Sequence, residues 1–157
     1  MPSFHIRPLS PADEALFIDF YTSLSDATWE MFHPHPRERE YLQTLIQSLP
    51  QRPDLALFMA GVHEEGRERM AGTVFFWDWH TQVPWFGICV RDGYQGQRLG
   101  DQMTAYAVET ARSQGKGGIL LTTRKQNLRA QALYLKYGFE IIGVDAHDEH
   151  LMILRFN

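Results

Sequence analysis

The run Ile119-Leu120-Leu121-Thr122-Thr123 constrains this chain more than any other segment. The glycine pair Gly117-Gly118 precedes it, and a segment opened by Asn127 follows. A short apolar run between two helical segments reads as a strand of the buried kind, with helices packed over it. Before it, Leu99, Met103, Tyr106, Ala107 and Thr110 share one face of a helix over Leu99 to Ala111, ended by Gly115 and Gly117-Gly118. After it, Ala130, Leu133, Tyr134 and Tyr137 form the inner face of a helix capped by Asn127 and ended by Gly138. The fold class is therefore α/β, with a mixed sheet.

The remaining segments supply strands to extend that sheet. Phe4 to Leu9 alternates as a short strand, and Pro8 suits a strand end or an edge. Ser10 and Pro11 open a helix whose face carries Phe17, Phe20, Tyr21 and Leu24. Tyr41, Leu42, Leu45, Ile46 and Leu49 mark a second helix, stopped by Pro50, and the two prolines of Phe32-His33-Pro34-His35-Pro36 make the stretch between the helices a loop. Leu55 to Val62 and Met70 to Trp79 read as a hairpin turning at Gly66, with Trp85 to Arg91 as a third strand. Phe139 to Val144 and His150 to Phe156 read as a closing antiparallel pair. The 157 residues contain no repeat and no linker, so a single domain over residues 1–157 is expected.

Composition removes several classes of function. Net charge is −4, and the run His63-Glu64-Glu65-Gly66-Arg67-Glu68-Arg69 mixes both signs, as a solvated turn does. A nucleic-acid binder needs a basic stripe, so no nucleic-acid partner is expected. Cys89 is the single cysteine, which excludes an intrachain disulfide, and its apolar surroundings suit a buried, inert thiol. No apolar stretch approaches the ~20 residues of a membrane span, and the N-terminal segment lacks the pattern of a secretion signal. No membrane partner and a cytoplasmic location are the expectations. Seven histidines include His33-Pro34-His35, but a zinc site needs three or four convergent ligands, and no metal is expected.

The chemistry is concentrated in Val90-Arg91-Asp92-Gly93-Tyr94-Gln95-Gly96-Gln97-Arg98-Leu99-Gly100. This segment runs from a strand through a glycine-containing turn into a helix. Such a start aims unpaired N–H groups and the positive end of the helix dipole at one spot, which suits a phosphate or pyrophosphate. Gly96 lets the backbone approach an anion, and Gly100 leaves room beside the first turn. The spacing fits neither a P-loop nor a dinucleotide-binding turn.

Gln95-Gly96-Gln97-Arg98-Leu99-Gly100 resembles the pyrophosphate loop of the GNAT N-acetyltransferases, Gln/Arg-x-x-Gly-x-Gly/Ala, with Arg98 in place of the middle glycine. Arg98 leaves such a loop intact if it keeps helical dihedrals. A second motif of that family, Asn-x-x-Ala-x-x-Leu-Tyr-x-x-x-Gly-Phe, is matched by Asn127, Ala130, Leu133, Tyr134, Gly138 and Phe139. The resemblance implies a mixed, mostly antiparallel sheet flanked by about four helices, with a splayed strand pair holding acetyl-CoA. By the same resemblance, the backbone of Ile88, Cys89 and Val90 would bond the pantetheine arm. The loop residues Gln95, Gly96, Gln97, Arg98, Leu99, Gly100 and Asp101 would hold the pyrophosphate, and Asn127 the lower part of the cofactor. Tyr134 would be the catalytic residue, giving a proton to the departing thiolate. A core role for Tyr134 and a purely capping role for Asn127 are the simpler readings.

The implied activity is direct acetyl transfer from acetyl-CoA to a primary amine on a small molecule or peptide. A CoA-binding sensor or interaction domain without catalysis is the alternative, and a longer acyl-CoA donor is a third possibility. Many relatives place a glutamate five residues before the asparagine, where this chain has Thr122, which is no base. Asp78, His80, His33 and His35 are the candidates for the missing base, unless a weakly basic amine needs none. Trp29, Phe32, Trp77, Trp79 and Trp85 are candidates to line the acceptor pocket, and the acidic balance suits a cationic acceptor. A homodimer through the last strand is possible on this reading.

Overall fold

The computed structural model describes residues 3–32 and 35–157. Seven strands form one sheet in the order β1-β2-β3-β4-β5-β7-β6. They are β1 (His5–Pro8), β2 (Leu55–Glu64), β3 (Arg67–Trp77), β4 (Trp85–Val90), β5 (Gly118–Thr123), β6 (Glu140–Val144) and β7 (His150–Arg155). The helices are α1 (Glu14–Ser23), α2 (Asp26–Phe32), α3 (Arg39–Ser48), α4 (Leu99–Ser113) and α5 (Leu128–Lys136). All neighbouring strands pair antiparallel except β4 and β5, which run parallel. No described helix is long and apolar enough to cross a membrane.

Two apolar cores follow from the alternation of side chains across the sheet. On one face, Phe58, Val74, Phe76 and Phe86 meet Leu99, Met103 and Ala107 of α4, with Tyr134 of α5 and Phe139 beside them. On the other, Leu57, Met59, Phe75 and Cys89 meet Phe17, Phe20 and Tyr21 of α1 and Leu42 and Ile46 of α3. Fully burying one such side chain contributes about 1.5–3 kcal/mol.

Five helices flank the sheet, in keeping with the expected fold, and α2 occupies the inter-helix stretch that leads into the loop read at Phe32 to Pro36. None of its residues is fully buried, and its apolar contact with the core is limited to Trp29 and Phe32. The structure departs from the sequence reading at β5, which is buried on one face only: Ile119 and Leu121 are covered, while Thr122 is exposed.

Candidate active site

β4 keeps register with β3 along its whole length, from Trp85↔Trp77 to Val90↔Gly72. β5 likewise keeps register with β7, from Gly118↔Arg155 to Thr123↔His150. Between β4 and β5 there is one paired rung, Trp85↔Leu120. Each strand follows its antiparallel partner, and the two part beyond that rung. A cleft of about 810 Å³ fills the gap, lined by Gly87 to Val90 of β4, Thr122 and Thr123 of β5, and Ala130, Leu133 and Tyr134 of α5. The β4 edge there has no strand partner, so an extended, amide-bearing ligand can add to it as a strand would.

At one end of the cleft lies the turn into α4. Gly96 has φ 78° and Arg98 has φ 64° and ψ 15°, so Arg98 is left-handed and does not keep the helical dihedrals expected of it. Its place at the cap of α4 is where the chain reverses, and a glycine would take that conformation without strain. The first α4 bond runs from Gln102 N–H to the Arg98 carbonyl at 3.1 Å. The amides of Gly96, Gln97, Arg98, Leu99, Gly100 and Asp101 donate to no acceptor among the described residues. Six successive free N–H groups at a helix start form a cradle for an anion. Arg98 and Arg129 line the same region, and a Cβ on Gly96 would stand 3.8 Å from the Arg129 guanidinium. A Cβ on Gly100 would meet Leu133 only at 3.6 Å, so protein packing does not demand that glycine. The space is left to a ligand.

Not every loop residue turns its side chain to the cleft. The Gln95 amide donates to the Val90 carbonyl at 3.1 Å and to the Thr28 hydroxyl at 3.2 Å. Gln97 donates back to the Gly93 carbonyl at 3.3 Å. Asp101 is held by Lys136 at 2.6 Å and by the Tyr137 hydroxyl. Both are loop braces, and Lys136 first, then Tyr137, hold the Asp101 carboxyl below its ordinary range. Asn127 accepts the Ala130 N–H at 3.2 Å as the cap of α5 while lining the cleft. Cys89 borders the cleft, but its thiol is buried on the α1 side and pushed up by desolvation. A thiol so shielded is inert.

Tyr134 sits at the middle of the cleft, its ring against Phe86 at 6.0 Å and Phe139 at 5.7 Å. Burial, and then the nearby Cys89, raises its phenol above the ordinary value. Its hydroxyl bonds to no described residue. A neutral phenol held in place by packing, with its proton uncommitted, is suited to donate that proton.

The other end of the cleft is bounded by α2 and by the β6–β7 turn. Phe32, Trp77 and Trp85 line it, together with Phe75 and Met31. A Cβ on Gly87 would collide with the Phe75 ring, so glycine there lets that ring lie across β4. Trp29 and Trp79 stand elsewhere. Trp29 packs with Tyr21 and under Arg37, and Trp79 packs on Phe76 with Lys116 over its ring. Asp78 and His80 are exposed past the end of β3, off the cleft. His35 is also off it, bonded through Nδ1 to the Pro36 carbonyl at 2.7 Å, and desolvation lowers its pKa. His33 lies outside the described residues. Among the described residues, no group of three His, Cys, Asp or Glu side chains is placed to hold a metal.

Several cleft residues escaped the sequence reading: Glu30 on α2, Arg124 after β5, and Asp145, His147 and Glu149 in the β6–β7 turn. One local signal for α2 was present, since Ser25 and Thr28 have the spacing of a helix start. Its actual anchor is distant. Asp92, just before the anion cradle, accepts the Ser25 N–H at 2.8 Å, the Ser25 hydroxyl at 3.0 Å and the Thr28 hydroxyl. The β6–β7 turn shows its own sign in Asp145, whose side chain accepts the N–H groups of His147 and Glu149, both at 2.9 Å.

Solved structures share this architecture at low sequence identity. A ribosomal-protein-S5-alanine acetyltransferase from Vibrio fischeri is 12% identical with a TM-score of 0.82, covering 99% of this chain and 96% of that one. The PaiA N-acetyltransferase from Thermoplasma acidophilum, solved with coenzyme A, is 16% identical with a TM-score of 0.76, over 98% and 99%. A spermidine N-acetyltransferase from Vibrio cholerae, solved with CoA and spermine, is 14% identical with a TM-score of 0.78, over 97% and 95%. No curated protein matches the chain by sequence. The model of the acetyltransferase (GNAT) family matches residues 19–139, the span holding the parted strands, the anion cradle and Tyr134, and the chain belongs to that family.

Proposed function

We propose that this protein transfers the acetyl group of acetyl-CoA directly to the nitrogen of a primary amine while both substrates are bound. The observation that carries the reading is the Tyr134 hydroxyl, uncommitted and held in a cleft that joins the anion cradle to an aromatic chamber. Acetyl-CoA, when bound, supplies an activated thioester. The chain's own residues supply the rest. The free amides of Gly96 to Asp101, with Arg98 and Arg129, would hold the pyrophosphate. The unpaired edge of Ile88, Cys89 and Val90 would bond the pantetheine amides, and Asn127 would close the lower part of that channel. Tyr134 would protonate the leaving sulfur. Much of the rate would come from holding amine and thioester in contact.

Two observations fit this better than a non-catalytic CoA-binding domain. Tyr134 has no structural bond to explain its hydroxyl, and the cleft is also lined by Phe32, Trp77 and Trp85, where an amine could enter. A cytoplasmic enzyme acting on a small-molecule or peptide amine is part of the same proposal.

The test is thermal unfolding with acetyl-CoA and CoA beside ATP and NAD, followed by a screen of amines. Ligand at about 100 times its dissociation constant adds about 2.7 kcal/mol to native stability. We expect a rise in Tm with acetyl-CoA and CoA alone and thiol release with at least one amine. No Tm shift at millimolar acetyl-CoA would remove the cofactor assignment. A shift with no turnover across the amine panel would favour the sensor reading.

A further inference from the structure

We propose that Glu149, on the turn between β6 and β7, takes the proton from the acceptor amine, a role that Thr122 on the adjacent strand cannot fill. This rests on the acetyl-transfer reading and names a residue for its unassigned step. Among the described residues, three carboxylates line the cleft: Glu30, Asp145 and Glu149. Glu30 is paired with Arg124 at 3.4 Å. Asp145 is consumed in its own turn, accepting two backbone N–H groups. Glu149 alone of the three has a carboxylate with no hydrogen-bonded or ionic partner among the described residues.

Its position is set by the sheet. Thr122 faces Leu151 across the β5–β7 ladder. Glu149 stands one residue before β7 and two before Leu151, continuing the alternation that sets Leu151 on the face of Thr122, and both Thr122 and Glu149 line the cleft. The backbone that carries it is fixed on three sides. Asp145 N–H donates to the Glu149 carbonyl at 2.8 Å, Glu149 N–H returns to the Asp145 side chain, and Lys125 ties Asp148 to the β5–α5 turn at 2.7 Å. That second turn is itself held by Gln131, which donates to the carbonyls of Arg124 and Lys125, both at 3.0 Å. A free, half-buried carboxylate on a rigid support beside the reacting space meets the geometric demand on a general base.

The proton balance is complete without another reagent. The ammonium gives one proton to the Glu149 carboxylate, directly or through one water. The amine nitrogen bonds the thioester carbonyl carbon as the carbon–sulfur bond breaks. The sulfur takes the Tyr134 proton, the second amine proton leaves with water, and Glu149 and Tyr134 re-equilibrate with solvent. The charged and titratable groups that line the same cavities as Glu149 are Glu30 from α2, Cys89 from β4, Tyr94 and Arg98 from the turn into α4, Arg124 and Lys125 from the β5–α5 turn, Arg129 and Tyr134 from α5, and Asp145, His147 and Asp148 from its own turn.

The deciding experiment compares wild type, Glu149→Gln, Glu149→Asp and His147→Gln. The substrates are the best basic amine from the screen and its weakly basic alkoxyamine analogue. For Glu149→Gln we expect kcat/KM to fall by about 10²–10³ with the basic amine at pH 7. The residual rate should rise about tenfold per pH unit as the free amine deprotonates in solution. With the alkoxyamine the loss should shrink below about threefold. Glu149→Asp should keep part of the activity. Calorimetry gives the readout independent of turnover: CoA affinity stays within about twofold, which also shows the variant is folded. Protons released on binding the basic amine to the protein–CoA complex change in Glu149→Gln.

Equal losses with both amines, an unaltered pH profile, or a profile that changes only in His147→Gln would overturn the assignment while leaving acetyl transfer intact. A wild type that acetylates no amine overturns both readings together.

Discussion

Asp92 accepts the backbone N–H of Ser25 at 2.8 Å, which ties the start of α2 to the turn that leads into the anion cradle. The helix bordering the aromatic chamber is therefore anchored to the turn before the anion cradle, besides packing on the α1-side core through Trp29 and Phe32. Thr28, and then the Ser25 groups, hold the Asp92 carboxyl below its ordinary range. We predict that Asp92→Asn raises the KM for the amine about tenfold while changing CoA affinity little, measured by steady-state kinetics beside calorimetry. A lowered native pKa stabilises the fold fully above the unfolded value of about 4, and that contribution is lost as pH falls through the lowered native value. Amine KM should rise in the wild type over that same acid range and stay flat in Asp92→Asn.

Arg98→Gly should stabilise the protein. Arg98 holds φ 64° without an excuse of chirality, and a non-glycine residue there costs about 1–2 kcal/mol. Urea denaturation should show a gain of about 1 kcal/mol. If the guanidinium also contacts the pyrophosphate, CoA binding weakens in the same variant. A gain in stability with a loss in affinity would separate the two roles of one residue.

Tyr134→Phe keeps the ring that packs between Phe86 and Phe139 and removes only the hydroxyl. Stability should change by less than about 1.5 kcal/mol, and CoA affinity should be retained. The value of kcat should fall by about 10²–10³. Because burial raises the phenol above its ordinary value, Tyr134 is neutral at neutral and mildly alkaline pH, and the wild type should lose no rate to its ionisation there. Rate loss with a midpoint near pH 8 in wild type and absent in Tyr134→Phe would contradict this.

Gly87→Ala should be costly for its size. The added methyl meets the Phe75 ring, which must rotate toward Phe32 or Trp77. Overpacking of this kind costs about 1–3 kcal/mol. The displaced ring narrows the amine end of the cleft, so amine KM should rise more than CoA affinity falls. Denaturation and the two binding measurements together check it.

Sequence patterns disclosed the frame of this fold because local spacing fixes it. The strand centres and the helices around Leu99 to Ala111 and after Asn127 fall close to where the alternation and capping signals put them, as at Asn127, whose side chain does cap α5. What the sequence hid depends on contacts between distant residues. α2 is held at its start by Asp92, sixty-seven positions from Ser25, and its short apolar face, Trp29 and Phe32, is only partly buried. The aromatic set divides in space, with Trp77 and Trp85 together at the Trp77↔Trp85 rung and Trp79 turned to Lys116. Periodicity assigns Trp77 and Trp79 to one face, and the chain leaves the strand between them at Asp78, φ 55°. Glu149 was invisible for a similar reason. A carboxylate in a hairpin turn is ordinary until the other cleft carboxylates prove to be occupied.

The lone rung between Trp85 and Leu120 divides the sheet mechanically into a four-stranded plate and a three-stranded plate. Backbone bonds run through each plate but hardly between them, so side-chain packing in the α4–α5 core carries the load across the seam. A ligand laid along the β4 edge acts as a splint over that seam. Its presence would be felt first in the slowing of amide exchange on β4 and the opening turns of α4, while the outer strands β1 and β6 go on exchanging as before.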